Sequence, residues 1–251
     1  MHISGITRNV KKISDFDRRL LTRQVEELFF FAPAAVAFSF IGAIATVVVF
    51  HDTGALAKGL FWFLFATLIM FFRTVVVLVY RQQTKPVTDP GKWAQLMIAG
   101  NILAGIQWAI LGTVLFPAEH NYRELFTILI LASYVAGSIA VYSPVKWAQM
   151  AFAIPASVPP VIYIFFMRDG VSWLGGGAAI VFIFGVFYFS RRQHHNIGRR
   201  LKTELENEDL LARSRKIGTA NGIAAPVSGS ANSGTRISFL SIPTYHGPTT
   251  Q

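Results

Sequence analysis

Apolar residues in this chain fall into six long runs separated by short polar connections. The runs lie near Leu28–Phe50, Ala55–Tyr80, Trp93–Phe116, Leu125–Ser143, Trp147–Met167 and Val171–Ser190. Each approaches or exceeds the ~20 residues that a helix needs to cross ~30 Å of hydrocarbon. Because a backbone in lipid must satisfy its own hydrogen bonds, the pattern predicts six membrane-spanning helices. Their short connections make sequential helices antiparallel.

The composition supports the same fold class. Of the 251 residues, 53% are hydrophobic and only 14% are charged, whereas soluble domains carry about 25% charged residues. We therefore predict an all-α integral membrane protein, and we expect membrane lipids to be among its partners. The chain has no cysteine, which excludes disulfides, thiolate catalysis and cysteine zinc sites.

The placement of Lys and Arg predicts the orientation. Basic residues cluster at the amino terminus, between the second and third runs, and after the sixth run. The opposite side has only Lys58, Arg123 and Arg168. By the positive-inside rule, both termini lie in the cytoplasm. The net charge of +10 is then explained by topology and anionic lipid, so no nucleic-acid partner is expected.

Four regions follow from these patterns. Residues 1–27 form a basic amphipathic segment, either a helix lying on the membrane surface or a lead-in to the first span. Residues 28–190 form the membrane domain, and residues 191–216 form a charged cytoplasmic helix that leaves the membrane. Residues 217–251 are rich in small and polar residues without a period, which predicts a disordered tail.

The charged exit helix keeps one apolar face. Ile197, Leu201 and Leu205 recur at four-residue spacing, so this face can bury against a partner surface. We expect the helix to pair with its copy in a homodimer, although Glu204 and Glu208 interrupt the heptad pattern.

The exit helix also carries a family resemblance. Its sequence RRLKTELENEDLLAR resembles the helix that follows the membrane sensor region of bacterial diguanylate cyclases (GGDEF) and sensor histidine kinases. The matching positions are Leu201, Glu206, Asn207, Glu208, Leu210 and Leu211, with looser matches at Gly105–Trp108 and Tyr142–Pro144. The resemblance implies a multi-pass protein of the bacterial inner membrane. It also implies a coupling helix that includes Leu201, Leu205, Glu206, Asn207, Glu208 and Leu211.

The chain departs from that family after residue 216. No GGDEF, EAL, phosphoacceptor-histidine or ATP-binding motif is present, and no nucleophile–base pair or P-loop occurs. We therefore expect an input module without its output domain, and no enzymatic activity, cofactor or metal in this chain.

Arg73 is the first candidate for a functional site because it lies inside the second apolar run. A charge at such depth is costly and often functional. Asn101 and Tyr134 lie at similar depth in their own runs, so a polar cluster of the three would form a ligand site or a switch. Alternatively, Arg73 snorkels to the lipid headgroups.

Other residues have weaker signals. Gln107 and Trp108 either line an outward pocket or join helices together. Pro155, Pro159 and Pro160 should kink the fifth span and serve as a hinge. Glu119, His120 and Glu124 suggest an ordinary polar loop rather than a metal site, and adjacent His194 and His195 suggest a solvated or headgroup-facing pair.

These observations predict a sensory or signal-input module that responds to an unidentified small ligand or membrane state. The alternative is a small transporter or channel in which Arg73 and the proline-kinked fifth span line a path. No Asp or Glu lies within the six runs, which argues against proton-coupled transport. A remnant without a present role is the third interpretation.

Overall fold

The structure is a computed structural model that describes residues 3–51, 56–83, 89–116, 122–167 and 172–220. Within these ranges every regular element is an α-helix. The helices are α1 (Ile3–Phe50), α2 (Leu56–Arg81), α3 (Pro90–Leu111), α4 (Tyr122–Tyr142), α5 (Ala148–Met167) and α6 (Ser172–Ala220). Helices α1 to α5 are long and apolar enough to cross a membrane. The expected all-α fold is thus confirmed for the described residues, with five helices that could span a membrane, while a sixth span stays a prediction.

The first and last helices are much longer than a span. Helix α1 has 48 residues and continues through Pro33, so the basic amino-terminal segment and the first apolar run share one helix. Helix α6 has 49 residues and joins the last apolar run to the charged segment in the same way. The expected boundaries at 27/28 and 190/191 therefore lie inside helices.

The chain divides instead into two compact units after Glu206. The first unit contains α1 to α5 and most of α6. In the second unit α6 continues to Ala220, and its apolar residues Leu210, Leu211 and Ile217 are each 61% exposed. Of the predicted disordered tail, 217–220 belong to α6, and 221–251 lie outside the described residues.

Helices α1 to α5 form a closed ring. Around it, α1 packs on α2, α2 on α3, α3 on α5, α5 on α4, and α4 again on α1. Helix α3 also contacts α1 across the ring, so α1 and α3 each pack against three other helices. The start of α3 is specified locally, because Pro90 occupies the first turn and the Asp89 side chain accepts from the Lys92 backbone N–H at 3.3 Å.

Glycines of α3 permit its close approach to α5. A Cβ on Gly105 would lie 2.5 Å from Pro155 Cγ and 2.6 Å from the Phe152 carbonyl oxygen. A Cβ on Gly112 would lie 2.5 Å from Pro160 Cγ. Helix α5 is continuous through its three prolines, Pro155, Pro159 and Pro160. Two of the expected hinge residues thus pack against glycines, Pro155 against Gly105 of α3 and Pro160 against Gly112, which caps α3.

Aromatic rings mark one end of the bundle. Phe29 of α1 stacks on Tyr80 of α2 with centroids 3.8 Å apart, and Trp93 of α3 meets Tyr80 edge-on at 5.3 Å. The Trp93 indole N–H donates to Gln83 Oε1 at 3.2 Å. We call this the Tyr80 end, where α2 ends and α3 begins. Aromatic side chains with a polar tip are typical of such helix ends in membranes.

The α3–α5 contact yields a stability prediction. We expect Gly105→Ala to lower the thermal unfolding midpoint of the detergent-solubilised protein, because the methyl group would overlap a proline ring and a backbone carbonyl. Overpacking of this kind costs about 1–3 kcal/mol. Gly137→Ala is the matched control, since its Cβ would meet nothing within 4 Å. Equal midpoints for the two variants would contradict the close packing.

Candidate functional site

Arg73 of α2 is buried inside the helix bundle and bonded to two neighbouring helices. Its side chain is 3% exposed. The Nη2 group donates to Asn101 Oδ1 of α3 at 3.2 Å and to the Tyr142 hydroxyl of α4 at 2.5 Å. Asn101 Nδ2 in turn donates to the Ala148 carbonyl of α5 at 2.8 Å. Arg73 and Asn101 together thus link α2, α3, α4 and α5.

The local packing explains how such a long side chain fits. Gly100 leaves room for the Arg73 stem, since a Cβ on Gly100 would lie 3.3 Å from Arg73 Cγ. The guanidinium carbon also lies 5.5 Å from the centroid of the Tyr142 ring, within cation–π range. The snorkelling interpretation is therefore wrong, because the side chain is directed into the protein and held there.

The charge of Arg73 is balanced by dipoles. Within the described part of the chain no carboxylate contacts Arg73, and its Nε has no hydrogen-bond partner. The guanidinium is therefore solvated by an amide oxygen, a hydroxyl and an aromatic face. A buried cation without a counter-ion makes this region attractive to an anion.

Tyr134, expected in this cluster, lies elsewhere. Its hydroxyl donates to the Phe38 carbonyl of α1, and its ring stacks on Trp108 at 4.2 Å. The ring lies over Gly42, where any Cβ would overlap it. The tyrosine that reaches Arg73 is Tyr142, about 12 Å further along the same helix. The depth of the two tyrosines along the apolar run could not show which of them contacts Arg73, because that contact depends on helix tilt and rotation.

A second hydrogen-bonded chain begins at the next residue of α5. Gln149 Nε2 donates to the Ser138 hydroxyl of α4 at 3.4 Å, and the Ser190 hydroxyl of α6 donates to Gln149 Oε1 at 2.8 Å. All three side chains are at least 96% buried. Because Ala148 and Gln149 are adjacent, the two sets of bonds are contiguous. We call them together the polar layer: Arg73, Asn101, Ser138, Tyr142, Gln149 and Ser190.

Further polar contacts hold α6 beyond Ser190. A His194 ring nitrogen lies 2.9 Å from the Ser143 carbonyl in the α4–α5 turn. Arg200 donates to Glu27 of α1 at 2.6 Å, forming an ion pair with a 60% exposed arginine. Such exposed pairs contribute little, typically about 0–1 kcal/mol. The attachment of α6 thus depends mainly on the buried bonds near Ser190 and on apolar contacts such as Val186.

Gln107 and Trp108 are core residues. They are 1% and 0% exposed, and the Trp62 indole N–H donates to the Gln107 carbonyl at 2.8 Å. Trp62 and Trp108 pack edge-on at 5.7 Å. Gln107 Nε2 and Trp108 Nε1 have no hydrogen-bond partner in the described residues. Of the two alternatives, the structure therefore shows interhelical packing rather than an outward pocket.

The predicted coupling residues separate into two groups. Leu201 and Leu205 are 5% and 2% exposed, so the apolar stripe is already buried within the chain. The side chains of Glu206, Asn207, Glu208 and Leu211 are exposed. A homodimer formed through Leu201 and Leu205 would have to displace these intramolecular contacts.

The structure describes only one of the three polar residues that cluster between the third and fourth apolar runs. Glu119 and His120 lie outside the described residues, and Glu124 lies in the first turn of α4. No group of three or more His, Asp or Glu side chains that could bind a metal occurs among the described residues.

The sequence pattern does not single out Ser138, Gln149 or Ser190 as site residues. Their only signal was a polar residue inside or at the edge of an apolar run. Tyr142 was noted only in the resemblance to sensor regions. Serine and tyrosine are frequent at such places, so the pattern alone does not select them.

No protein-family model, curated protein or solved structure matches the chain. The resemblance to membrane sensor regions therefore stays a prediction.

The role of Tyr142 can be measured by stability. Tyr142→Phe removes the acceptor of a charged donor, and we expect it to lower the free energy of unfolding by about 1.5–3 kcal/mol. The matched control is Tyr188→Phe, whose side chain is 63% exposed. The measurement is a denaturant titration of each purified variant in mixed micelles. A Tyr142→Phe variant as stable as the control would exclude a structural role for the Arg73–Tyr142 bond.

Proposed function

We propose that this chain is a membrane-embedded sensory module that transmits a conformational change through α6. In this proposal it spans a bacterial inner membrane six times, with the apolar part of α6 as the sixth span and both termini in the cytoplasm. The distribution of Lys and Arg along the chain supports this orientation. The chain itself needs no catalytic group for such a role.

The observation that carries the proposal is the connection between the polar layer and α6. The bonds from Arg73 reach Ala148, and those from Gln149 reach Ser190 on α6. Helix α6 then continues without a break from Ser190 into its charged segment. A change in the packing of α4 or α5 at the Tyr80 end would thus reach α6 through these bonds.

The energetics favour a switch. A buried hydrogen bond such as that between Ser190 and Gln149 contributes about 0.5–1.5 kcal/mol net. A ligand that prefers one packing of the bundle by about 1.4 kcal/mol shifts the equilibrium tenfold. Modest differential binding in the bundle is therefore enough to change how α6 is held. The homodimer expected from the sequence would have to use residues other than Leu201 and Leu205.

A reporter fusion tests transmission. The catalytic domain of a diguanylate cyclase is joined after Arg213, and its product is measured in cells at equal membrane levels of fusion protein. Gln149→Leu removes the bonds to both Ser138 and Ser190, so we expect a changed output. Ser157→Ala in the same helix is the matched control, because it removes only a local bond to the Ala153 carbonyl.

Equal output from Gln149→Leu, Ser157→Ala and the unsubstituted fusion would contradict the signalling proposal. Substrate-dependent flux through the purified protein in liposomes would instead support the transporter alternative.

The proposed topology has its own test. Because the chain has no cysteine, single cysteines can be introduced without removing native ones. Lys58→Cys, at the predicted outer side, should react with a membrane-impermeant maleimide in intact spheroplasts. Thr203→Cys, in the exposed part of α6, should react only after permeabilisation. Labelling of both sites in intact spheroplasts would mean that α6 does not supply a sixth span.

A further inference from the structure

A cavity of about 470 Å³ opens between α1 and α4, with Phe152 of α5 as part of its wall. Its volume is within the ~300–1,000 Å³ typical of small-molecule sites. Most of the wall is apolar or small, as at Ala35, Phe38, Gly137 and Val141. A flexible hydrocarbon chain fits such a wall better than a polar metabolite does.

The polar groups of the cavity wall are hydroxyls. Ser39 is 6% exposed and lines the cavity, where its hydroxyl can donate to an acceptor. Tyr142 accepts from Arg73 Nη2, which leaves its own hydroxyl proton available to donate. No carboxylate lines the cavity. The polar part of an occupant is therefore a hydrogen-bond acceptor.

The positive charge of Arg73, which is bonded to Tyr142, favours a negatively charged hydrogen-bond acceptor in the cavity. Arg73 bonds directly to this wall residue, and it contacts no carboxylate in the described residues. An anionic head placed at Tyr142 would supply the charge that the bundle lacks. In a low-dielectric surrounding that attraction is much stronger than in water.

We propose that this cavity binds a long-chain carboxylate, such as a free fatty acid, taken up from the membrane. The hydrocarbon chain occupies the apolar wall between α1 and α4, and the carboxylate accepts from the Ser39 and Tyr142 hydroxyls. The inference names a ligand for the proposed sensory function and depends on that function only for its biological meaning. Binding itself can be measured separately.

The cavity is also adjacent to the path toward α6. Ser138 lines the cavity and accepts from Gln149, which in turn accepts from Ser190. The Ser138 hydroxyl itself donates to the Val135 carbonyl at 2.6 Å. The distance from Gln149 Nε2 to the Ser138 hydroxyl is 3.4 Å, which is long for a hydrogen bond. A ligand that displaces α4 by a small distance would therefore change this bond. Ligand binding would in this way alter how strongly α6 is bonded to α5.

Photolabelling of the full chain tests the site. The protein is placed in phosphatidylcholine nanodiscs and exposed to a fatty acid carrying a diazirine in its chain, and labelled peptides are mapped by mass spectrometry. We expect saturable labelling of α1 and α4 around Phe38 and Gly137. Oleate should compete, whereas oleyl alcohol, which has the same chain without the charge, should compete at least about 10-fold less well.

Two variants with one control make the test specific. A Cβ at either Gly137 or Gly185 meets nothing within 4 Å, but only Gly137 lines the cavity. Gly137→Leu should therefore abolish saturable labelling, and Gly185→Leu should leave it unchanged. Ser39→Ala keeps the volume but removes one donor to a charged group, so the half-saturating concentration should rise about 10-fold.

Equal labelling of Gly137→Leu and Gly185→Leu, or equal competition by oleate and oleyl alcohol, would overturn the proposal. Such results would mean that the probe occupies the cavity only as bulk lipid does. If Gly137→Leu does not fold, Ser39→Ala decides, and an unchanged half-saturating concentration refutes the site.

The two proposals fail in distinguishable ways. Saturable oleate binding with a reporter that responds neither to oleate nor to Gln149→Leu would retain the site and exclude signalling. A reporter that responds to Gln149→Leu, together with no saturable oleate binding, would retain signalling and exclude the site.

Discussion

The positive charge of Arg73 has to be solvated inside an apolar bundle, and the arrangement around it follows from that requirement. Placing a charged side chain at the centre of a membrane helix costs about 2.5–3.5 kcal/mol when it is measured by helix insertion, the method that gives the lower values. Here an amide oxygen, a hydroxyl and an aromatic face from α3 and α4 surround the guanidinium. These dipoles hold three helices in one register at the Tyr80 end. They also leave a net charge, which makes the nearby cavity suited to an anion.

Small residues make this arrangement sterically feasible. Gly100 admits the Arg73 stem, and Gly105 and Gly112 admit the proline rings of α5. Between helices in lipid the hydrophobic effect supplies no attraction, so close contact and hydrogen bonds must hold the bundle. The same requirement explains the contact made by Tyr134. Its ring packs over Gly42, and its hydroxyl donates to a backbone carbonyl of α1. Close packing on the α3–α5 side contrasts with the open cavity between α1 and α4.

Helix α6 differs from the other helices in how it is attached. Helices α1 to α5 contact one another extensively around the ring, whereas α6 is attached by fewer contacts, a few polar bonds and buried apolar residues such as Val186. A helix held by few bonds can change its position without unfolding the bundle. Its unbroken continuation past Ser190 would carry such a change away from the membrane domain. The buried leucines Leu201 and Leu205 show that part of the charged segment packs within the same chain.

The fold class of the protein and the presence of a costly charge follow from the amino-acid sequence alone. Long apolar runs and flanking basic residues are local properties, and they predict helices wherever lipid surrounds the backbone. Which polar groups meet depends on how the helices pack together. Asn101 could be matched to Arg73 by depth, but Tyr142 rather than Tyr134 completes the cluster because helix rotation and tilt are set by packing between distant segments. For the same reason, the periodic stripe of Leu201 and Leu205 predicted burial but not its partner surface.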